Sequence, residues 1–185
     1  MTGLNTSIFF AFNSIAGQSA SVDKVIVFFA DYLAYILVAV FITILFFQKT
    51  RSEKIRLFLS AIVASIVGRG IVVEVIRFFY HHPRPFVVLE NVRQLFAESS
   101  YSFPSGHATF FFALSTVLYC RNKYFGATFF VLSLIMGLAR ISAGVHYPLD
   151  ILGGAIFGVI VGFASDYAVN KFFSSSPASS ASSRE

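Results

Sequence analysis

The chain has 185 residues, of which 56% are hydrophobic and 12% charged, with 24 phenylalanines and a formal net charge of +5. A soluble domain carries about 25% charged residues, so this balance excludes an ordinary soluble protein and implies a single integral-membrane domain. The positive excess is no nucleic-acid footprint here, because basic residues in a membrane protein set topology and meet anionic headgroups.

No Lys or Arg precedes Lys24, so no cationic signal-peptide region is expected. The lone cysteine, Cys120, rules out an intramolecular disulfide and reads as a small apolar helix residue. Residues 4–20 are mildly apolar but are interrupted by Asn5, Asn13, Gly17 and Gln18. They predict an interfacial helix lying on the membrane. Val25 to Phe47 is a strong apolar run broken by Asp31 and Thr43, long enough for a first span. A basic loop, 48–56, follows with Lys49, Arg51, Lys54 and Arg56. The second span is expected from Leu57 to Phe79 and contains Arg69, Glu74 and Arg77, which need partners or a polar cavity in lipid.

Residues 80–103 read as a polar loop. A third span is expected from Ser105 to Tyr119, a fourth from Tyr124 to Ile141 and a fifth from Pro148 to Val169. The fold class is therefore all-α: a polytopic helix bundle with five transmembrane helices, or six if residues 4–20 also cross. Residues 1–173 form one domain, and the Ser/Ala-rich stretch 174–185 is expected to be disordered. The basic segments 48–56, 121–123 and Lys171 fall on one side of such a bundle, which positive-inside makes cytoplasmic. The 80–103 loop and the turn holding Gly144 and Pro148 then share the external face.

That face collects the chemistry. Three polar groups converge there: Arg77-x6-Arg84-Pro85, Pro104-Ser105-Gly106-His107 and Arg140-x5-His146-x3-Asp150. Guanidinium forks match phosphate oxygens bidentately. Ser105 can cap the third span, whose opening N–H groups form an anion site. Pro148 suits the first turn of the fifth helix. That places Asp150 one turn inside, where it can hold one nitrogen of His146 and leave the other as nucleophile. His107 can protonate a leaving oxygen, and the arginines can neutralise a transferring phosphoryl group. No carboxylate cluster in these loops suits a divalent metal, so no metal or other cofactor is expected.

The three groups resemble the signature of the type 2 phosphatidic acid phosphatase superfamily, in which Lys-x6-Arg-Pro, Pro-Ser-Gly-His and Ser-Arg-x5-His-x3-Asp recur. The second part is complete; Ala139 stands where serine is common, and Arg77 where lysine is usual. The resemblance implies His146 as nucleophile, Asp150 as its partner and His107 as general acid. It also implies Arg77, Arg84, Ser105, Gly106 and Arg140 as the phosphate-binding set. Within the family the chain is most similar to bacterial undecaprenyl-diphosphate phosphatases of the bacitracin-resistance type. That implies a multi-pass protein of the bacterial plasma membrane with its active site facing the outside or periplasm. Its partners would be a lipid phosphate substrate and membrane lipids, with no nucleic acid, and its role the recycling of the cell-wall lipid carrier. The alternatives are a monophosphate lipid phosphatase (phosphatidylglycerophosphate, phosphatidate or lipid A) and, from another class, an anion transporter.

The remaining polar residues have plainer expectations. Arg69 and Glu74 would pair with neighbours and hold helices together. His81, His82, Glu90, Arg93 and Glu98 would be solvated loop residues. Gly154 and Gly158, four apart, fit close helix packing.

Overall fold

The computed structural model describes residues 3–175, which form an all-helical bundle without strands among the described residues. The expected tail lies outside them, apart from Ser174, which closes the last helix, and Ser175 beyond it. The helices are α1 (Gly3–Asn13), α2 (Ala20–Phe46), α3 (Arg51–Phe79), the short α4 (Pro85–Val88), α5 (Gly106–Arg121), α6 (Lys123–Ser142) and α7 (Pro148–Ser174). Four of them, α2, α3, α6 and α7, are long and apolar enough to cross a membrane. Their outer faces carry large exposed apolar side chains, such as Phe28, Ile36, Phe78, Val131 and Ile160. Water would not tolerate so broad a surface; lipid does.

Local chemistry sets the helix boundaries. Ser19 caps α2, six residues before the apolar run begins. Thr50 and Glu53 form a reciprocal capping box, so α3 starts inside the segment expected to be a basic loop. The expected 121–123 loop shrinks to Asn122, whose side chain accepts from Tyr124 N and Phe125 N to open α6. Both α2 and α3 contain a π-helical turn, Phe28–Tyr32 and Ile66–Val72 respectively.

The 16-residue α5 is the axis of the bundle. It is only about 24 Å long at 1.5 Å per residue, and residues all round it are buried, among them Thr109, Phe111, Ala113, Ser115 and Val117. Helix α7 packs against it through a glycine stripe. A Cβ on Gly154 would meet Ser105 O at 2.7 Å, one on Gly158 Thr109 O at 2.5 Å, and one on Gly162 Thr116 Cβ at 2.6 Å. The expected Gly154–Gly158 packing is thus present and runs a further turn to Gly162. This close approach brings the start of α5 against the start of α7, where Ser105 N donates to Asp150 O at 3.0 Å.

The long helices alternate between two ends. At one end Arg121 donates to Asp166 and Asn170, and Arg56 lies over the Phe173 ring. At the other end, α1 packs across the loops. Asn13 donates to Arg93 O at 2.8 Å and Ser142 O at 2.9 Å, and accepts from Arg93 N at 3.0 Å. Asn5 accepts from Leu149 N, in the first turn of α7. The two asparagines that interrupt the apolar pattern are therefore the ones that dock α1. Gly144, at φ +79°, turns the chain between α6 and α7 where a Cβ would strike Arg93 O at 2.5 Å.

Candidate active site

The site lies at the end where the 80–103 loop meets the turn between α6 and α7. The two segments are joined by Leu95 N donating to Ala143 O and by Arg84 donating to Val145 O at 2.7 Å. His146 is fully enclosed in that turn. Its Nδ1 lies 3.4 Å from Asp150 Oδ2, and its Nε2 lies 3.4 Å from an Arg84 guanidinium nitrogen. One ring nitrogen thus faces a carboxylate and the other faces Arg84. Asp150 is itself fixed: its Oδ2 accepts from Tyr147 N at 2.7 Å and from the Ser102 hydroxyl at 2.5 Å. Burial pushes the His146 pKa down to about 4, against the opposing hydrogen bond that the ring donates to Asp150. The imidazole is neutral at pH 7, so one ring nitrogen carries a free lone pair.

Three buried arginines lie at this end of the bundle. Arg84 is itself extended before Pro85 and donates to Ser100 O at 2.6 Å and to the Ser100 hydroxyl at 3.0 Å. Burial lowers its pKa to about 10, with Glu98 acting in the opposite sense, so it stays cationic at neutral pH. Arg77, near the end of α3, donates to Pro104 O at 3.1 Å and to the Ser100 hydroxyl at 3.3 Å. Arg140, near the end of α6, donates to Ala30 O at 3.1 Å and lies over the Phe96 ring. The Nε atoms of Arg77 and Arg140 are buried without a hydrogen-bond partner.

The Pro104–His107 segment opens α5. Ser105 is its N-cap, accepting from Ala108 N at 3.4 Å. Gly106 is buried against Arg69: a Cβ there would stand 2.6 Å from the Arg69 Nε. His107 is half-buried, and the charges of Arg140, Arg69 and Arg84 and the ring of His146 are near enough to act on it. The eight residues singled out from the sequence therefore gather at one end of the bundle.

Several residues expected to be plain loop or packing groups are not. Glu98 is no solvated loop residue: one of its carboxylate oxygens meets Arg140 and the other lies 3.4 Å from Arg84. Burial works to raise its pKa, but Arg140 and Arg84 together hold it below the usual carboxylate value. His82 packs beside Tyr147, with its Nδ1 3.8 Å from Asp150 Oδ1. Arg93 is bound to α1 through Ala16 O and Asn13. Arg69 and Glu74 do pair, with each other along α3, and Arg69 also packs against Gly106 of α5. Ser100 and Ser102, for which the sequence offers no spacing signal, hold the arginines and the aspartate in place.

A family model described as the PAP2 superfamily matches residues 57–174. The undecaprenyl-diphosphatase BcrC of Bacillus subtilis is 32% identical over 163 residues, covering 86% of this chain and 81% of its own. A protein of Bacillus licheniformis named bacitracin transport permease protein BcrC is 32% identical, covering 85% of this chain and 76% of its own. Among solved structures, Aquifex aeolicus LpxE superposes with a TM-score of 0.71 at 33% identity, covering 88% of this chain and 94% of that one.

Proposed function

The chain belongs to the PAP2 superfamily of membrane lipid phosphatases, and we propose that it removes the terminal phosphate of undecaprenyl diphosphate through a phosphohistidine. The observation that carries the mechanism is the two-sided environment of His146, with Asp150 on Nδ1 and Arg84 on Nε2. Asp150 fixes the Nδ1–H tautomer and leaves the Nε2 lone pair for phosphorus. That lone pair forms the N–P bond, the P–O bond to the lipid breaks, and the departing oxygen takes a proton from His107. Water then attacks the phosphohistidine. His107 accepts its proton, the N–P bond breaks, and His146 regains its lone pair as inorganic phosphate leaves. Arg77, Arg84 and Arg140, with Ser105 and the first N–H groups of α5, hold the phosphoryl oxygens. These arginines supply the charge neutralisation, so no metal is required.

The diphosphate assignment is supported by the BcrC relatives, which match over most of the chain. The orientation is supported by charge: Lys49, Arg51, Lys54, Arg56, Arg121, Lys123 and Lys171 lie at or near helix ends remote from the site. Positive-inside then puts that end in the cytoplasm and the site at the outer face of a bacterial plasma membrane. We read five crossings, with α5 as the short central one. At 11 residues, or about 16 Å, α1 is half the length a crossing needs.

The test is phosphate release by purified protein in detergent with EDTA present. Undecaprenyl diphosphate is compared with phosphatidylglycerophosphate and phosphatidate. Release is expected from the diphosphate, fastest of the three, and His146→Ala is expected to abolish it. Preference for a monophosphate lipid would replace the substrate; full activity in H146A would remove the mechanism.

A further inference from the structure

Arg69 has no place in the phosphate-binding set, yet it stands at its edge. It lies on the π-helical turn of α3, eight positions before Arg77, and π-turns inside helices are frequent at functional sites. Its side chain is 44% exposed. A charge in a spanning helix that is neither buried nor purely structural needs an explanation. Its stem occupies the space a Cβ on Gly106 would fill. Its guanidinium lines a cavity of about 140 Å³ together with Gly106, His107, Phe110 and Phe111. That volume is several times the ~30 Å³ of a water in the liquid, room for a phosphate group.

Two further observations give this cavity a direction. Glu74 bridges the arginines, meeting Arg69 and lying 3.8 Å from Arg77. A carboxylate between two guanidiniums marks a position where an anionic oxygen is stabilised by both. Phe110 also lines a second cavity, of about 240 Å³, which is walled by Val38, Phe41, Ile42, Phe58 and Leu114 and is apolar. Apolar groove, Arg69 cavity and arginine cluster therefore follow in order, with His107 at the middle position. A polyprenyl diphosphate has the same order: hydrocarbon chain, lipid-side phosphate, terminal phosphate.

We propose, resting on the diphosphate reading of the site, that Arg69 binds the lipid-side phosphate and so selects diphosphate over monophosphate lipids. When His146 Nε2 bonds to the terminal phosphorus, the P–O–P bridge breaks and its electron pair remains on the bridging oxygen. The leaving group is then the lipid monophosphate. Its phosphate anion stays beside Arg69, while its bridging oxygen receives the His107 proton, which offsets the charge left by the broken bond. A monophosphate ester releases an alcohol and gives Arg69 no anion to hold, so only the diphosphate gains from it.

The experiment measures kcat/KM in detergent for farnesyl diphosphate and farnesyl monophosphate, with wild-type protein, Arg69→Gln, Arg69→Lys and Glu74→Gln. In R69Q the diphosphate-to-monophosphate ratio is expected to fall tenfold or more, and R69K is expected to restore part of it. In E74Q, where Arg69 keeps its charge and loses its competitor, the ratio is expected to hold or rise. A ratio in R69Q equal to wild type, with both substrates lost in parallel or neither lost, would overturn the proposal. So would an E74Q ratio that falls as R69Q does, since the pair would then matter only as structure. Wild-type protein that hydrolyses neither compound nor undecaprenyl diphosphate would overturn the phosphatase reading itself, a result separate from any change in ratio.

Discussion

Glu98 ties Arg84 to Arg140 through one carboxylate, and that makes it a competitor of phosphate oxygens for donors of the same arginines. Arg84 and Arg140 also donate to the carbonyls of Ser100, Val145 and Ala30, so a phosphate that reaches their terminal nitrogens meets Glu98 there. Replacing Glu98 by Gln keeps the shape and removes the charge. We expect inorganic phosphate to inhibit E98Q more strongly than wild type, by roughly tenfold or more, since a charge-assisted hydrogen bond contributes about 1.5–3 kcal/mol. An inhibition constant that is unchanged or weaker would mean that Glu98 orders the arginines rather than competing with the anion. Residues of this kind mark the limit of what the sequence discloses. His146 and Asp150 are legible because four-residue spacing at a helix start carries geometry. Glu98, Ser100 and Ser102 sit in an irregular loop, where spacing carries none and the partners are distant in the chain.

At the scale of elements, the site depends on how closely α7 can approach α5. The glycine stripe sets that distance, and it was half visible in advance: Gly154 and Gly158 are four apart, while Gly162 continues the pattern a turn further. The central position of α5 was not visible, because a uniformly apolar helix has no face by which to place it. A Cβ at Gly158 would lie 2.5 Å from Thr109 O and 3.0 Å from Ala113 N, both backbone atoms that cannot move aside alone. Gly70, by contrast, has nothing within 4 Å of an added Cβ. Gly158→Leu is therefore expected to push the helices apart and cost more than the ~1–3 kcal/mol typical of overpacking. The melting temperature in detergent should drop sharply in G158L, and activity with it, because Asp150 and Ser105 separate. Gly70→Ala should melt within a few degrees of wild type. Equal behaviour of the two variants would show that the α5–α7 spacing does not hold the site.

Across the whole molecule, the ionisable groups are sorted by end, and that sorting gives folding a specific pH dependence. His146 is enclosed and held neutral, with its pKa near 4 instead of the ordinary 6.5. Between those two values the unfolded chain binds a proton at this position and the folded chain does not. Stability from this group is therefore complete above about pH 6.5 and declines as pH falls toward 4, by at most about 1.4 kcal/mol per pH unit. Glu98, whose pKa is lowered on folding, adds a loss of the same sign only further down, below the ordinary carboxylate range near 4.5. The two groups thus act in separable windows. The melting temperature of wild-type protein in detergent should fall steadily from pH 6.5 to 5. His146→Gln, which takes up no proton there, should show a markedly flatter profile over that interval, while below pH 4.5 both proteins should lose stability alike. If H146Q follows wild type through the upper window, the proton that destabilises the fold binds elsewhere, and His146 is not the neutral, enclosed base on which the phosphohistidine route depends.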